Sequence, residues 1–304
     1  MDATGGVWIP IVLAAAAAQT VRNAAQRSLV KSVGTLPATL VRFVYGLPFA
    51  AGALMAIGTA TPQPLPSANL PFVAWVALGA VAQLMATALL IQAMEHRSFV
   101  VAVAYSKTEI LQIGLYSIVL LGESLSIPSA TAIVLASVGV LMLSIKPSAE
   151  RAQDPASWFS PAAGLGLGSG ALFALSAVGY RASVLALDEA VPWVAGTYTL
   201  VWAQSIQSAL LGGYLAIRDR DRLMQVLMQW RISTLAGLMG ALASLGWFTA
   251  LAMRSAVDVR VVGLVEVVYS YALSRRFFAE RVSGREIWGI ALVMVGIVVV
   301  SVRH

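Results

Sequence analysis

The chain has 304 residues, 59% of them hydrophobic and only 11% charged, with a mean hydropathy of +0.82, a balance that excludes an ordinary water-soluble domain. Its formal charge of +6 would suggest nucleic acid in a soluble protein, but here the cations stand in short loops beside apolar stretches, so topology accounts for them. With no Cys and only His96 and His304, disulfides, thiolate sites and a His-based metal cluster are excluded.

Apolar windows near the roughly 20 residues of a spanning helix recur ten times, at 6–28, 35–58, 70–94, 98–121, 127–145, 161–185, 190–216, 232–253, 257–278 and 286–302. They predict an all-α integral membrane protein. The first window contains "VLAAAAAQT", which has the look of a signal-peptide core, but no basic n-region precedes it, so a retained helix is expected. Within it Gln19, Asn23 and Gln26 form one polar stripe. Such a stripe faces protein or water, so Asn23 binds either substrate or a neighbouring helix. In the second window Pro48 is placed to bend the helix, whereas Pro37 and Pro192 are placed to start theirs.

The fourth window carries Glu109 in an apolar run, with Tyr105 and Gln112 on its helical face and Lys107 on another. A Pro-, Ser- and charge-rich segment, 146–161, then reads as a linker. The sixth window opens with Gly164, Gly166, Gly168 and Gly170 at small-xxx-small spacing, suited to close helix contact. A phosphate loop is excluded, because no strand precedes these glycines and no Lys-Ser or Lys-Thr follows them. Deep aromatics follow: Tyr180 in the sixth window, Tyr198 and Trp202 with Gln204 or Gln207 in the seventh, and Trp247 in the eighth. Each either stacks on a ligand or packs helices. In the ninth, Asp258, Val262, Glu266 and Tyr269 share a face.

The two halves match one another. At an offset of 157, residues 97–145 align with 254–302 without gaps and twelve of 49 positions are identical. The informative pairs are Arg97 with Arg254, Glu109 with Glu266, Glu123 with Glu280 and Gly139 with Gly296. A weaker match sets "AAQRSLV" of the first window on "VGYRASV" of the sixth. Two five-helix repeats follow, 1–147 and 148–304, and the odd number inserts the second upside down. Thirteen Lys or Arg fall on the side of the odd-numbered loops against Arg181, Arg254 and Arg303 on the other. The positive-inside rule then puts both termini outside the cytoplasm.

A charge at mid-helix must face a partner or a wet cavity. Glu109 and Glu266 are therefore expected either to line a central substrate and coupling site or to tie helices together. The available cations are Arg22, Arg42, Lys107 and Arg260. Lys107 would neutralise a carboxylate on another helix or on the substrate. Arg22 and Arg42 are expected in ion pairs or near an interface. Whether the glutamates exchange protons or stay paired is open on these residues alone.

Ten spans in two halves, a glutamate midway through the fourth helix of each, and "GESLS" or "AERVS" ahead of a helix with "VGV" or "VGI" resemble the drug/metabolite transporter superfamily. The narrower resemblance is to its EamA-type ten-helix branch, and within it to YddG-like exporters of aromatic and other neutral amino acids. The family's usual proline after the glutamate is replaced by Ile110 and Val267, and Gly-Glu-Arg by "GES". The resemblance implies a multi-pass protein of a bacterial-type cytoplasmic membrane that exports small metabolites by alternating access to a mid-membrane cavity. It implies no cofactor, no metal and no partner beyond a small-molecule substrate and the bilayer, with the protein acting as a monomer. An organic-cation or multidrug exporter is the alternative. A membrane-embedded enzyme is disfavoured because neither HExxH nor GxSxG occurs.

Overall fold

The structure is a computed structural model that describes residues 6–62, 64–96, 106, 108–144, 161–187, 191–266, 268–269, 272 and 284–302. Among these there is no strand. The helices are α1 (Trp8–Val33), α2 (Thr35–Val44), α3 (Leu47–Ala60), α4 (Leu70–His96), α5 (Glu109–Leu121), α6 (Ile127–Ser144), α7 (Pro161–Leu185), α8 (Pro192–Arg218), α9 (Arg220–Met228), α10 (Trp230–Met253), α11 (Ala256–Gly263) and α12 (Gly284–Ser301).

Among the described residues five stretches are long and apolar enough to cross a membrane: Thr35–Ala60, Leu70–Leu90, Ala163–Leu185, Pro192–Arg218 and Trp230–Met253. Glu109–Leu121, Ile127–Met142 and Ile287–Ser301 are shorter apolar helices. Large apolar side chains point outward along them, Met55 at 73% exposure, Leu70 at 82% and Ile127 at 83%. Water would not tolerate so much outward-facing hydrocarbon, whereas lipid does. The chain therefore has the helices of a membrane protein.

Local chemistry sets the breaks. Gly34, at φ 85°, separates α1 from α2. The expected second span runs through Thr35–Ala60, with helical angles kept at Tyr45 and Gly46 but its ladder interrupted just before Pro48, whose ring has no N–H to give and crowds the preceding turn. Gly46 is needed there, since a Cβ would collide with the carbonyl oxygen of Arg42. Gly122 ends α5 in the left-handed conformation at φ 65°. The N–H of Glu123 reaches back to the Ser117 carbonyl at 3.1 Å, a Schellman-type stop.

Two differences from the sequence expectation have physical causes. The ninth window is not one helix: α11 ends at Gly263, Leu264 is a turn, and helix resumes at Val265–Glu266. The Leu264 N–H bonds the Val261 carbonyl three residues back, a tightened turn where a β-branched run meets glycine. Asp258 and Glu266 thus do not lie on one unbroken helical face. The loop after the seventh window also holds a helix, α9, which begins where the Asp219 carboxylate accepts from the Arg222 N–H at 3.2 Å.

Two compact units form, one from Met1–Val81 with Gly179–Ser255, the other from Ala82–Val178 with Ala256–His304. Each draws on both halves of the sequence, and the boundaries fall inside α4 and α7. Close approach at small residues holds each together. In the first, a Cβ on Gly246 of α10 would lie 2.8 Å from the Cβ of Ala15 of α1. Ten residues along α1, Ala25 packs on the cluster containing Ala236, so the two helices run antiparallel. Gly179 of α7 meets Gly79 of α4, where a Cβ would be 3.2 Å from the Gly79 backbone. In the second unit a Cβ on Gly139 of α6 would lie 2.6 Å from the Gly289 carbonyl of α12, and one on Gly296 would lie 3.2 Å from the Ala132 carbonyl. That pair is antiparallel too.

Of the glycine ladder in the sixth window, Gly168 and Gly170 make close contacts, to Leu89 at 3.3 Å and to the Ser106 carbonyl at 2.8 Å, while Gly164 has nothing within 4 Å of its Cβ position. Gly139→Leu should lower stability in detergent by about 1–3 kcal/mol through overpacking, while Gly164→Leu should leave it within about 0.5 kcal/mol. Thermal unfolding followed by size-exclusion fluorescence measures both, and equal melting temperatures would contradict the seam.

Candidate functional site

In the second unit the charged residues gather at the start of α5. Glu109 is its first residue, where the helix dipole favours a carboxylate by roughly 0.3–1 kcal/mol at an exposed site. Gly170 brings α7 against this point: a Cβ there would lie 3.0 Å from Thr108 Oγ1 and 3.2 Å from the Glu109 backbone nitrogen. Thr108 Oγ1 accepts from Gln112 Nε2 at 2.9 Å, so residue 112 fastens the same turn.

Arg260 of α11 places Nη1 3.6 Å from Glu109 Oε1, the two side chains being 28% and 14% exposed. Oε1 is enclosed and accepts no hydrogen bond. The contact is therefore electrostatic, longer than a charge-assisted hydrogen bond. Two residues earlier, Asp258 accepts from Ser129 Oγ at 2.8 Å. Ser126 and Ser129 hydroxyls lie 2.9 Å apart. Because the Ser129 proton is committed to the carboxylate, Ser126 donates to Ser129, giving a relay from α6 into α11. One short helix is thus tied to two others by its two charges. Glu266 and Tyr269 are half-buried beyond the turn at Leu264. Tyr105 and Lys107 lie outside the described residues.

The remaining candidates belong to the first unit. Tyr180 is 3% exposed, its ring 4.5 Å from that of Phe248, and its hydroxyl accepts from Gln207 Nε2 at 3.0 Å. Little of the ring is open to a ligand. Tyr198 and Trp202 flank the fully buried Phe72, with ring centroids at 5.4 and 5.9 Å. Trp247 Nε1 donates to Gln19 Oε1 at 2.9 Å, joining α10 to α1. Gln26 donates to the Ala38 carbonyl at 2.8 Å, so the polar stripe of α1 is used in part for bonds between helices. Asn23 is exposed, and its side-chain oxygen accepts from Arg22 Nη2 at 2.8 Å. Arg181, read as a loop cation, donates to the Leu251 carbonyl near the end of α10, where helix carbonyls attract positive charge.

Sequence reasoning missed Ser129, Phe72 and Phe248. A serine two residues past a loop carries no signal of its own, and phenylalanines in apolar spans are indistinguishable from packing.

No family model and no curated protein matches the chain. A solved crystal structure, described only as that of a protein, matches with a TM-score of 0.71 at 16% identity over 98% of this chain and 97% of that one. At that identity the likeness speaks for the fold alone. Within the site, Arg260→Met should strand the Glu109 carboxylate and lower stability by about 1–3 kcal/mol, and adding Glu109→Gln should restore most of the loss. A double variant as unstable as the sum of the single ones would show that the two charges are not coupled.

Proposed function

We propose that this protein is a secondary or facilitative transporter that exports small metabolites across a bacterial-type cytoplasmic membrane, neutral and aromatic amino acids first among them. The observation that carries the reading is the ion pair of Glu109 and Arg260, less than a third exposed, set at a helix start within apolar helices. Ionisable residues in such helices mark substrate or ion paths unless they serve structure alone. Their looseness, 3.6 Å with no hydrogen bond to Oε1, suits a pair that opens during a cycle, with Glu109 and Glu266 as coupling groups and Lys107 as a further cation.

A second line of support is the repeat. Extending the offset of 157 into the third and eighth windows makes Gly79 the counterpart of Ala236 and Leu89 that of Gly246. The offset of 154 between the first and sixth windows makes Gly179 the counterpart of Ala25. The contact of Gly179 with Gly79 then mirrors that of Ala25 with the Ala236 cluster. Gly168 with Leu89 mirrors Gly246 with Ala15 to within one residue. The α6–α12 seam is its own image, Gly139 on Gly289 exchanging with Gly296 on Ala132. Antiparallel contacts that repeat in this way suit an inverted repeat of ten spans, the architecture on which alternating access is commonly built. The resemblance to the drug/metabolite transporter superfamily points the same way, and the Lys and Arg bias would put both termini outside the cytoplasm.

Uptake of labelled amino acids into proteoliposomes tests the proposal. Flux that saturates supports it, and absence of flux for every amino acid and quaternary cation tried rejects it. Glu266→Gln should lower the rate by at least about tenfold, equivalent to about 1.4 kcal/mol, and Glu280→Gln, placed by sequence at a loop, by less than about twofold. Wild-type rates in both at matched expression would refute the assignment of Glu266.

A further inference from the structure

The first unit sets a different chemistry from the second. Its described helices carry Arg22, Arg42 and Arg181, while its described acidic residues, Asp219 and Asp221, both stand at the start of α9. Asp219 is already engaged by Arg222 at 3.2 Å. Arg42 forms no ion pair among the described residues. Its Nε is fully enclosed without a hydrogen-bond partner, and its Cζ lies 4.4 Å above the Phe43 ring. An N–H enclosed in this way is a charged donor with nothing to donate to.

Acceptor and donor atoms in the same state stand on α8, the helix packed against this part of α2. Gln204 is 3% exposed, and its Oε1 is enclosed and unpartnered. It packs on Gly46, one turn beyond Arg42, where a Cβ would be 3.0 Å from Gln204 Nε2 and 3.3 Å from Oε1. The Gly212 position of α8 meets Leu40 of α2 at 3.8 Å. Between these two contacts α8 runs past Arg42, and midway stands Ser208, whose Oγ is also enclosed without a partner. On the other flank Gly240 of α10 leaves room for both arginines, its Cβ position lying 3.2 Å from Arg22 Cδ and 3.5 Å from Arg42 Cβ. All this lies beside Tyr45–Gly46, where the span keeps helical backbone angles but Pro48 withholds one backbone donor. One enclosed orphan polar atom is ordinary. Three, comprising a cationic donor, a carbonyl acceptor and a hydroxyl along one seam, are not, because each left unmet costs about 1–3 kcal/mol.

We infer that Arg42, Ser208 and Gln204, with Arg22 alongside, form a recognition site for the zwitterionic head of a small amino acid. The Arg42 Nε–H and the Ser208 hydroxyl donate to the carboxylate, and Gln204 Oε1 accepts from the ammonium. This rests on the export reading and names the end of the substrate that these residues hold.

The test is binding to the purified full chain by isothermal titration, independent of flux. The probes are phenylalanine, phenylalaninamide, which lacks the carboxylate, 3-phenylpropionate, which lacks the amine, and phenyl phosphate. Phenylalanine should bind, and each of the others should bind at least about tenfold more weakly, since each leaves a buried group unmet. Arg42→Gln should weaken phenylalanine by at least about tenfold and Gln204→Leu by a similar factor, while Gln204→Leu leaves 3-phenylpropionate unchanged. Should Arg42→Gln fail to fold, Gln204→Leu and the probe series on the wild type decide. No binding of phenylalanine, equal binding of phenylalaninamide, or tighter binding of phenyl phosphate would overturn the inference. Binding as expected without flux in proteoliposomes would keep the site and reject export.

Discussion

Charge placed among apolar helices has to be answered from within the protein, and the second unit is organised by that requirement. A lone charge at the centre of a spanning helix costs about 2.5–3.5 kcal/mol on insertion scales. Glu109 meets this with three devices: a position at the start of α5, the guanidinium of Arg260 across 3.6 Å, and a backbone held in place by the absence of a side chain at Gly170. Asp258 is met by the serine relay from α6. Because both answers come through α11, eight residues long, its position is coupled to α5 and α6 at once. A change in protonation or in a bound ligand would have to be felt by all three.

Small residues do the rest of the holding. Lipid tails are as apolar as leucine, so helices in a bilayer gain little from hiding leucines and more from dense packing and interhelical hydrogen bonds. The seams at Gly79 with Gly179, Ala15 with Gly246 and Gly139 with Gly289 bring backbones together in that way. Trp247 with Gln19 and Gln26 with the Ala38 carbonyl add directional bonds along α1. Leu, Ile, Val and Met remain free to face outward.

The sequence revealed what depends on composition and period. Helices and many of their approximate limits follow from hydropathy and spacing, whereas of the expected glycine ladder Gly168 and Gly170 make close contacts and Gly164 none, and the seams at Gly79, Gly246 and Gly139 were not announced. Pro48 announced the gap in the helix ladder of the second window, although its place at Tyr45–Gly46 needed the geometry of the Arg42 carbonyl. The break at Leu264 did not show, because a single Gly in a Val-rich run is compatible with continuous helix. Pairings were the least legible part. Arg260 was one of four cations available to two glutamates, and nothing in spacing chooses among partners on different helices. The use of Gln19 for Trp247, and of Gln207 for Tyr180, is likewise a matter of which helices are neighbours, information that a linear pattern does not hold.

The gap in the ladder of the second span has a mechanical meaning. An unbroken α-helix resists bending because each turn is stapled to the next by its backbone ladder, so strain imposed at one end arrives undiminished at the other. Here Pro48 can supply no staple, so the ladder between α2 and α3 lacks one bond, a turn past Arg42, although Tyr45 and Gly46 keep helical angles. What the ladder lacks there is supplied from outside the helix, by Gln204 packed on Gly46 and by Gly237 packed on Tyr45.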